Sequence, residues 1–564
     1  MPDFRGDSSS CCEHLREQIV LLNKPQGEES RARANVISCH FAHQRLTMRI
    51  CFISREFPPD TGWGGIATFT RHLAQGMKEL GHDVEVISMA KAGSKAATTV
   101  HEGIKVHRVE PYIKEGDLGL LGRATPNTRF TLSALFALWE KFIELHQRAP
   151  FDVIDTPELL AEGLMPSLTK IAPLVVRLYT PHFKFIIDGL HNTKHTIDHH
   201  FVGLIERMAL LNADAITSPS KDLAEFVAAD IRYPLDQIKI VMNPIDAVEF
   251  NPEGPSKIVD EGKVKILFVG RLEERKGINY LIETVPEVVA KFPNAHYYVI
   301  GDDTLTGKGH TSILAELKRF IADSNCSANV TFIPRVPLVD LPQYYRSADI
   351  SVVPSLYDNS PYSALEAMSC GRAVIGTTSG GTKEYMVDGE SGMLVPPKDA
   401  PALTAALLNL LGSETERKRL GANARKRVLD CFQRKEIARQ TVDVYELART
   451  NFESTKMHRQ YSRQPEELLA DADSLLNAFH ETIHDLLYSF SWRYRAAYWI
   501  HLIKKRPKLF VAKIALQVFR KLSFLPGFKS EQISSKIEWL EKQVSVKQTR
   551  QPPRLTTAAG ESNS

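Results

Sequence analysis

The stretch that decides the fold runs from Asp349 to Pro397 and reads DISVVPSLYDNSPYSALEAMSCGRAVIGTTSGGTKEYMVDGESGMLVPP. Ile350–Pro354 is a short apolar run of the kind that forms a buried parallel strand. Ser360 and Pro361 predict the N-cap and the first residue of a short helix, and Gly371 suits its end because glycine readily adopts positive φ. The order strand, loop, helix, strand, glycine turn and helix predicts an α/β domain.

The start of this helix is a candidate anion site. Tyr362 and Ser363 offer free N–H groups there, at the carboxyl end of a parallel strand, where open α/β sheets bind ligands. Asp358 and Glu366 frame the site, and carboxylates suit it as acceptors of hydrogen bonds from sugar or ribose hydroxyls. A second turn repeats the arrangement after the next predicted strand, with Gly380, Gly381 and Thr382.

Composition limits the class of protein. The chain has 564 residues, enough for two domains with appendages, and its 43% apolar and 24% charged residues are ordinary for a globular protein. A net charge of +3 argues against nucleic acid as a partner. Seven cysteines without a C-x-x-C pair favour a reducing compartment, and no apolar run reaches the roughly 20 residues that span a bilayer. We therefore expect a cytoplasmic protein.

The first domain opens with a Rossmann-like pattern. Arg49–Ser54 predicts a buried strand, a loop with Gly64 and Gly65 follows, and a helix over 66–80 leads to a second strand over 84–88. Paired glycines at a helix start let the backbone approach a diphosphate, but many strand–helix turns carry glycine for backbone freedom alone. Both interpretations of Gly64 and Gly65 remain open from these residues.

Several motifs together resemble a known family. Asp358 and Glu366 are separated by seven residues, Glu366 begins Glu-Ala-Met, and Gly380-Gly381 precede Glu384. This order is similar to the nucleotide-sugar site of retaining glycosyltransferases with the GT-B fold, specifically glycosyltransferase family 4 (glycosyl transferases group 1). Two positions depart from the family pattern. Aspartate stands at 358 in place of glutamate, and Pro361 replaces a glycine and removes one N–H donor.

The resemblance implies roles for five residues. Glu366 would hold the ribose and Asp358 the donor sugar. His182 lies in a Thr-x-His loop just past a predicted strand, where it would contact the sugar near its reacting carbon, although a lone histidine is by default a hydrogen-bonded core residue. Arg271 and Lys276 follow the first strand of the second domain and would stabilise the departing nucleoside diphosphate in place of a metal.

The resemblance also implies the fold and the activity. The fold would be two Rossmann-like α/β domains facing across a cleft, plus a helical C-terminal extension. Gly64 and Gly65 would face the donor phosphate and the acceptor, and Arg335 would contact the base or a phosphate. The reaction would move a sugar from a nucleoside-diphosphate sugar to a hydroxyl of a glycan or lipid-linked saccharide, as in polysaccharide biosynthesis, with retained configuration and no metal or other cofactor.

Five parts of the chain are expected on this basis. Residues 1–47 are polar without periodicity, so they are expected to be either a disordered extension or the product of a misassigned start codon. The others are an acceptor domain at 48–243, a nucleotide-sugar-binding domain at 244–432, a crossover helix at 433–450 and a helical tail at 451–564.

Two patterns raise the question of a metal. His191, His195 and His199 recur every four residues, which puts three imidazoles on one helical face. A histidine-lined acceptor cleft is the preferred interpretation, because the expected chemistry does not need a metal. Asp302-Asp303 follows a strand outside the expected site, so it does not indicate a metal site either.

The tail carries two further patterns. Apolar residues recur in seven-residue series over 466–490 and again over 533–544. Between them, residues 492–529 hold ten Lys or Arg, eight aromatic residues and no acidic residue. This composition fits a helix on the inner face of an anionic membrane, a hairpin packed on the protein, or helical self-association through 466–547.

Two alternatives to transferase activity stay open. One is a GT-B nucleotide-sugar epimerase, which would need acid–base residues of its own and no acceptor. The other is a catalytically inactive partner or scaffold protein with the same fold. Asp358 and Pro361 favour the inactive protein, whereas the presence of His182, Arg271 and Glu366 argues against it.

Overall fold

The computed structural model describes residues 47–61, 64–112, 126–187, 197–307 and 311–456, with eight further residues between 499 and 515. The predictions for residues 1–46 and for most of the tail therefore lie outside the described residues. In the part of the chain that is described, no helix is both long and apolar enough to cross a bilayer.

The first α/β sheet contains eight strands of the described chain. The strands are β1 (Arg49–Ile53), β2 (Asp83–Met89), β3 (Ala97–His101), β4 (Ile104–Val109), β5 (Val153–Pro157), β6 (Leu174–Arg177), β7 (Ala215–Ser218) and β8 (Ile238–Ile240). The helices between them are α1 (Gly65–Glu79), α2 (Pro126–Arg148), α3 (Leu164–Thr169), α4 (His182–Ile187), α5 (Ile197–Leu211) and α6 (Lys221–Ile231), with short 3₁₀ turns at Leu159–Ala161 and Leu235–Gln237.

The strand order of this sheet is β3-β4-β2-β1-β5-β6-β7-β8. All neighbours are parallel except β3, which runs antiparallel to β4. The order reverses between β1 and β5, where Ile50 lies beside Val153. In open α/β sheets the crevice for ligands forms at such a reversal, outside the carboxyl ends of the strands. Here the loops after β1 and β5 border that crevice.

The second sheet begins after residue 263. Its strands are β9 (Val264–Val269), β10 (Ala295–Ile300), β11 (Val330–Ile333), β12 (Ile350–Val353), β13 (Ala373–Thr377) and β14 (Met393–Val395). Its helices are α7 (Ile278–Glu283), α8 (Val285–Lys291), α9 (Ile313–Asp323), α10 (Leu341–Ser347), α11 (Tyr362–Ser369), α12 (Thr382–Tyr385), α13 (Ala400–Leu411), α14 (Glu414–Cys431) and α15 (Arg434–Lys456), with 3₁₀ turns at Glu274–Lys276, Ser327–Asn329 and Leu338–Asp340.

This sheet is wholly parallel in the order β11-β10-β9-β12-β13-β14. The reversal lies between β9 and β12, so the loops after these two strands border the second crevice. Strands β10, β12 and β13 are buried throughout. Apolar clusters from α7, α8, α9 and α13 and from α10, α11 and α14 pack against the sheet. The predicted pair of Rossmann-like domains is confirmed.

The last helix packs against the first domain. Helix α15 packs against α1 so closely that a Cβ on Gly76 would lie 2.6 Å from the carbonyl oxygen of Arg434. Farther along the helix, the Tyr445 hydroxyl donates to Asp155 Oδ2 at 2.8 Å, at the buried strand β5. Both contacts fix the second domain relative to the first.

The start of α11 differs from the prediction by one residue. Pro361 is the N-cap, with extended backbone angles of φ −73° and ψ 110°, and Tyr362 is the first helical residue. Ser360 does not cap the helix because its hydroxyl donates to the hydroxyl oxygen of Tyr385 at 2.6 Å. A tertiary partner has replaced the local cap that the sequence indicates.

Candidate functional site

An ion pair joins the two loops that border the second crevice. Lys276 ends the 3₁₀ turn after β9, Asp358 follows β12, and Lys276 Nζ lies 2.5 Å from Asp358 Oδ2. Asp358 is buried, and although burial alone would raise the pKa of its carboxyl group, the nearby Lys276 and Arg275 cations hold that pKa below its usual value. Burial lowers the pKa of Lys276, and the negative charge of Asp358 partly offsets this decrease. Two predicted site residues are thus brought into contact.

The loop that carries Arg271 is more ordered than a solvated charged loop. Glu273 is only 2% exposed, and its Oε1 accepts from Arg275 at 2.8 Å and from Arg271 at 3.2 Å. Arg275 also donates to the carbonyl oxygen of Tyr357, next to Asp358. Glu273 and Arg275 are therefore not free side chains in solvent. They tie the two loops together, and the Arg271 side chain stays 61% exposed.

Glu56 of the first domain interacts electrostatically with Arg271 and Arg335 of the second domain. Glu56, in the loop after β1, has its pKa raised by burial, while Arg271, Arg55 and Arg335 act in the opposite direction. A Cβ on Gly64 would lie 3.6 Å from Glu56 Oε2, so the predicted glycine loop lies beside the same carboxylate. Gly64 therefore lies beside Glu56, a residue that the sequence analysis did not single out and whose pKa Arg271 and Arg335 help to lower.

Glu366 lies inside α11 and contacts a neighbouring helix. The Tyr345 hydroxyl of α10 donates to Glu366 Oε2 at 2.7 Å. Burial raises the pKa of Glu366 to about 7, and the Tyr345 hydrogen bond limits the rise. The carboxyl group is therefore poised to change its protonation state near neutral pH, and its other oxygen is not part of this contact.

The start of α11 meets the glycine loop of the first domain. A Cβ on Gly65 would lie 3.9 Å from the Tyr362 ring. The first intrahelical contact of α11 is the Ala364 N–H to Pro361 O bond at 3.1 Å, so the N–H groups of Tyr362 and Ser363 precede it. These two amides point out of the helix start, as the sequence indicates.

The second glycine turn packs against the loop after β12. Gly380 has a φ of +61°, and a Cβ there would lie 2.3 Å from the carbonyl oxygen of Asp358. The Gly381 N–H donates to that same oxygen at 3.0 Å, so this amide does not face an anion as expected. Thr382, the first residue of the four-residue helix α12, is completely buried. The turn holds Asp358 in place.

His182 is the first residue of α4, close to the carboxyl end of β6. Its ring lies parallel to the ring of His199, with centroids 5.4 Å apart. His191 and His195 lie outside the described residues. Over the described ranges, no group of three or more His, Cys, Asp or Glu residues is arranged to hold a metal ion.

Two buried carboxyl groups hold the loop that carries His182. Glu158, directly after β5, accepts from the Tyr179 N–H at 2.7 Å. Glu206 of α5 accepts from the Phe183 N–H at 3.3 Å and from the Leu160 N–H at 2.8 Å. Both side chains are fully buried, and burial raises the pKa of Glu158 to about 8 and that of Glu206 well above its usual value.

The two halves of the chain match two family models. Residues 63–249 match the model described as Glycosyltransferase Family 4, and residues 252–427 match the model described as Glycosyl transferases group 1. The chain belongs to glycosyltransferase family 4. It is a glycosyltransferase with the GT-B fold, so the predicted family and fold are both confirmed.

Relatives of this family 4 chain align with it over nearly their whole length. The MMP alpha-(1->4)-mannosyltransferase of Mycolicibacterium hassiacum is 26% identical over 424 residues, which are 71% of this chain and 98% of that protein. Sucrose-phosphate synthase from Thermosynechococcus elongatus aligns with a TM-score of 0.58 and 23% identity, over 71% of this chain and 98% of its own. Anabaena HepE in complex with UDP-glucose aligns with a TM-score of 0.52 and 18% identity, over 71% and 99%.

Sequence reasoning missed several residues of this family 4 site. Glu158 had a usable signal, since a glutamate directly after an apolar strand stands at the edge of the sheet where ligands bind. Asn359 stands next to a predicted site residue, but its partners come from the other domain and are distant in sequence. Tyr345 had no signal, because a tyrosine in an amphipathic helix usually belongs to the core.

Proposed function

We propose that this glycosyltransferase moves a sugar from a nucleoside-diphosphate sugar to a hydroxyl group of a glycan or lipid-linked saccharide, with retained anomeric configuration and without a metal. The observation that carries the proposal is the Lys276–Asp358 pair at the sheet reversal, with Arg271 exposed beside it. Cations at this edge suit a diphosphate, and a carboxylate among them suits sugar hydroxyls.

The donor would bind across the loops of the second domain. Arg271, Lys276 and the N–H groups of Tyr362 and Ser363 would take the diphosphate, and Glu366 would accept from the ribose hydroxyls. Arginine suits this position because its guanidinium can donate two parallel hydrogen bonds to phosphate oxygens. HepE was crystallised with UDP-glucose, which supports a uridine donor as the first one to test.

The chemical step would exchange one bond at the anomeric carbon. The bond from this carbon to the diphosphate oxygen breaks, and a bond to the acceptor oxygen forms on the same face of the sugar. The acceptor proton passes to a phosphate oxygen of the leaving group. Arg271 and Lys276 would stabilise the negative charge that develops on the diphosphate, and closure of the two domains would exclude water.

A donor screen tests the proposal. Purified protein is supplied with UDP-, GDP-, ADP- and dTDP-sugars, with and without EDTA, and release of nucleoside diphosphate is measured. Hydrolysis of one donor that is insensitive to EDTA and lost in Arg271→Ala and Glu366→Ala would support the proposal. Arg439→Ala is the matched control, because Arg439 is exposed on α15 and pairs there with Glu436.

The two alternatives give different results in the same screen. Tight donor binding without turnover, even with lipid extracts as acceptors, would favour an inactive partner protein. Conversion of one nucleotide sugar into another without release of nucleoside diphosphate would favour an epimerase. Absence of binding to every donor would reject the assignment of the site.

For the tail we propose contact with an anionic membrane surface on the cytoplasmic side. Four apolar residues there are 40–63% exposed, namely Ile500, Ile503, Val511 and Ile514. The described residues around them are helical, and Lys504 is exposed among them. Exposed apolar side chains beside cations suit the surface of a bilayer that contains acidic lipids. Sedimentation with vesicles containing phosphatidylglycerol, but not with pure phosphatidylcholine vesicles, would support this, whereas equal or absent binding would contradict it.

A further inference from the structure

One side chain connects the donor-side loop to the loop that carries His182. Asn359 stands next to Asp358 in the second domain and is 4% exposed. Its Nδ2 donates to the carbonyl oxygen of Tyr179, and its Oδ1 accepts from the Ser220 hydroxyl at 2.7 Å. Both partners belong to the first domain. Because a carbonyl oxygen can only accept, the contact with Tyr179 fixes the orientation of the Asn359 amide.

The Tyr179 peptide is held from both domains. Its N–H donates to the buried Glu158 at 2.7 Å, and its oxygen accepts from Asn359 and, at 2.5 Å, from the Thr180 hydroxyl. His182 follows three residues later, and Glu206 holds the next N–H group, that of Phe183. The first domain therefore fixes the loop from below, and Asn359 contacts it from the second domain.

The donor side of this connection is equally constrained. Asp358 is fixed through its side chain by Lys276 and through its carbonyl oxygen by the Gly381 N–H. A Cβ on Gly381 would lie 2.0 Å from the carbonyl oxygen of Asn359 and 2.5 Å from Ser220 Cβ. Gly381 therefore packs directly against both the Asn359 backbone and Ser220, and leaves no space for a side chain between them.

We propose that Asn359 is a positioning residue that couples the two loops, so that Asp358 and His182 keep one fixed relation across the cleft. The inference rests on the proposed function, because it assigns both loops to the reacting sugar. Asn359 makes both of its hydrogen bonds to the opposite domain, so it can fix the position of Asp358 relative to His182 only when the two domains are closed. Donor-side and acceptor-side groups are therefore aligned in the closed state.

The isosteric variant Asn359→Asp removes the donor and keeps the shape. It places a carboxylate oxygen against the Tyr179 oxygen, while the Ser220 hydroxyl can still donate. We expect kcat for sugar transfer to fall by about 10²-fold, the cost of a misplacement of about 1 Å, and the donor KM to change by less than about threefold, since Arg271 and Lys276 stay in place. Asn359→Ala, which introduces no repulsion, should show the same pattern if Asn359→Asp does not fold.

A matched control is offered by Asn329. Its Nδ2 donates to the carbonyl oxygens of Pro293 and Ala295 inside the second domain, away from both crevices. Asn329→Asp therefore loses the same kind of side chain–backbone hydrogen bond without touching the cleft. It should leave kcat within about twofold of the wild-type value.

Hydrogen–deuterium exchange separates this inference from the proposed function. Exchange of the peptide that covers residues 178–183 should be faster in Asn359→Asp than in the wild type and unchanged in Asn329→Asp. This readout does not require turnover. If the wild type has no transferase activity but exchange is still faster in Asn359→Asp than in the wild type, the coupling would be supported and the proposed function rejected. Unchanged exchange, or an unchanged kcat in an active enzyme, would overturn the coupling.

Discussion

Lys276 and Asp358 form an ion pair between the loops after β9 and β12, at the position where the strand order of the second sheet reverses. Each residue comes from a separate motif, 82 positions apart in the chain. The pair has two consequences. It places a cation where a diphosphate would lie, and it orients the carboxylate that would contact the donor sugar.

A double-mutant cycle measures this pair. Lys276→Met keeps the apolar stem and removes the charge, which leaves the buried Asp358 carboxylate without its partner. We expect the free energy of unfolding to fall by about 1–3 kcal/mol, measured by urea denaturation at neutral pH. Asp358→Asn should cost much less in the Lys276→Met protein than in the wild type. Equal costs in both backgrounds would show that the two groups do not interact.

Donor binding should depend on pH through Glu366. Its pKa is raised to about 7, so the carboxylate that would accept from the ribose hydroxyls is progressively protonated as the pH falls below that value. We expect donor affinity, measured by titration calorimetry, to decrease as the pH falls from 8 to 6. Glu366→Gln should bind weakly and without this dependence.

Tyr345→Phe is the matched variant for this test. It removes the hydroxyl that holds the Glu366 pKa down, so the midpoint of the pH dependence should move to higher pH. A midpoint that stays in place would assign the titration to another group.

Gly381→Ala should push the loop that carries Asn359 away from Ser220 through a steric clash. The added Cβ would overlap the carbonyl oxygen of Asn359 and approach Ser220, and neither is the end of a flexible side chain. We expect a loss of stability of about 1–3 kcal/mol or more, together with loss of turnover. Gly412→Ala is the control, because its nearest atom would lie at an ordinary 3.4 Å. Equal melting temperatures for the two variants would contradict the close packing described for Gly381.

Buried glutamates of the first domain should make stability fall as the pH rises. Burial raises the pKa of Glu158 to about 8, well above that of an unfolded chain, so the folded protein binds more protons between these two values. The stabilisation is complete below the unfolded pKa and is lost as the pH rises through about 8, at roughly 1 kcal/mol per pH unit.

Glu158→Gln tests this assignment. Its amide oxygen can still accept from the Tyr179 N–H, so the variant should fold with a flatter dependence of unfolding free energy on pH between 5 and 8. Glu158→Ala should lose the contact and destabilise the protein at every pH. An unchanged slope in Glu158→Gln would mean that Glu158 is ionised in the folded protein.

The fold could be predicted from the sequence because the local strand and helix patterns alternate as they do in a parallel α/β sheet. The apolar run before Pro354 and the Gly371 stop give a strand and a helix on their own, and both lie within about one residue of their predicted positions. Lys276 and Asp358 lie in loops that follow strands at the edge where ligands bind, and Glu366 lies in the helix after the second loop, so the places of these residues in the fold were predictable. Their roles toward a donor stay predictions. Local signals therefore carry most of the architecture.

Tertiary contacts of individual side chains were not predictable in this way. Ser360 has the signal of an N-cap, yet its hydroxyl donates to Tyr385. Arg275 stands in a run of charged residues, yet it bridges two loops. Asn359 gains its role only from Tyr179 and Ser220, 180 and 139 positions away. Such roles depend on tertiary neighbours that periodicity and spacing do not encode.

The central claim is sugar transfer with retained configuration from a nucleoside-diphosphate sugar. The most direct measurement is the proton NMR spectrum of the sugar that is first released from an α-linked donor, recorded before mutarotation. The account predicts that the α-anomer is formed first, and at the same rate with and without EDTA. Arg271→Ala should form no product. A β-anomer as first product would contradict retention, and release that persists in Arg271→Ala would contradict the assigned site.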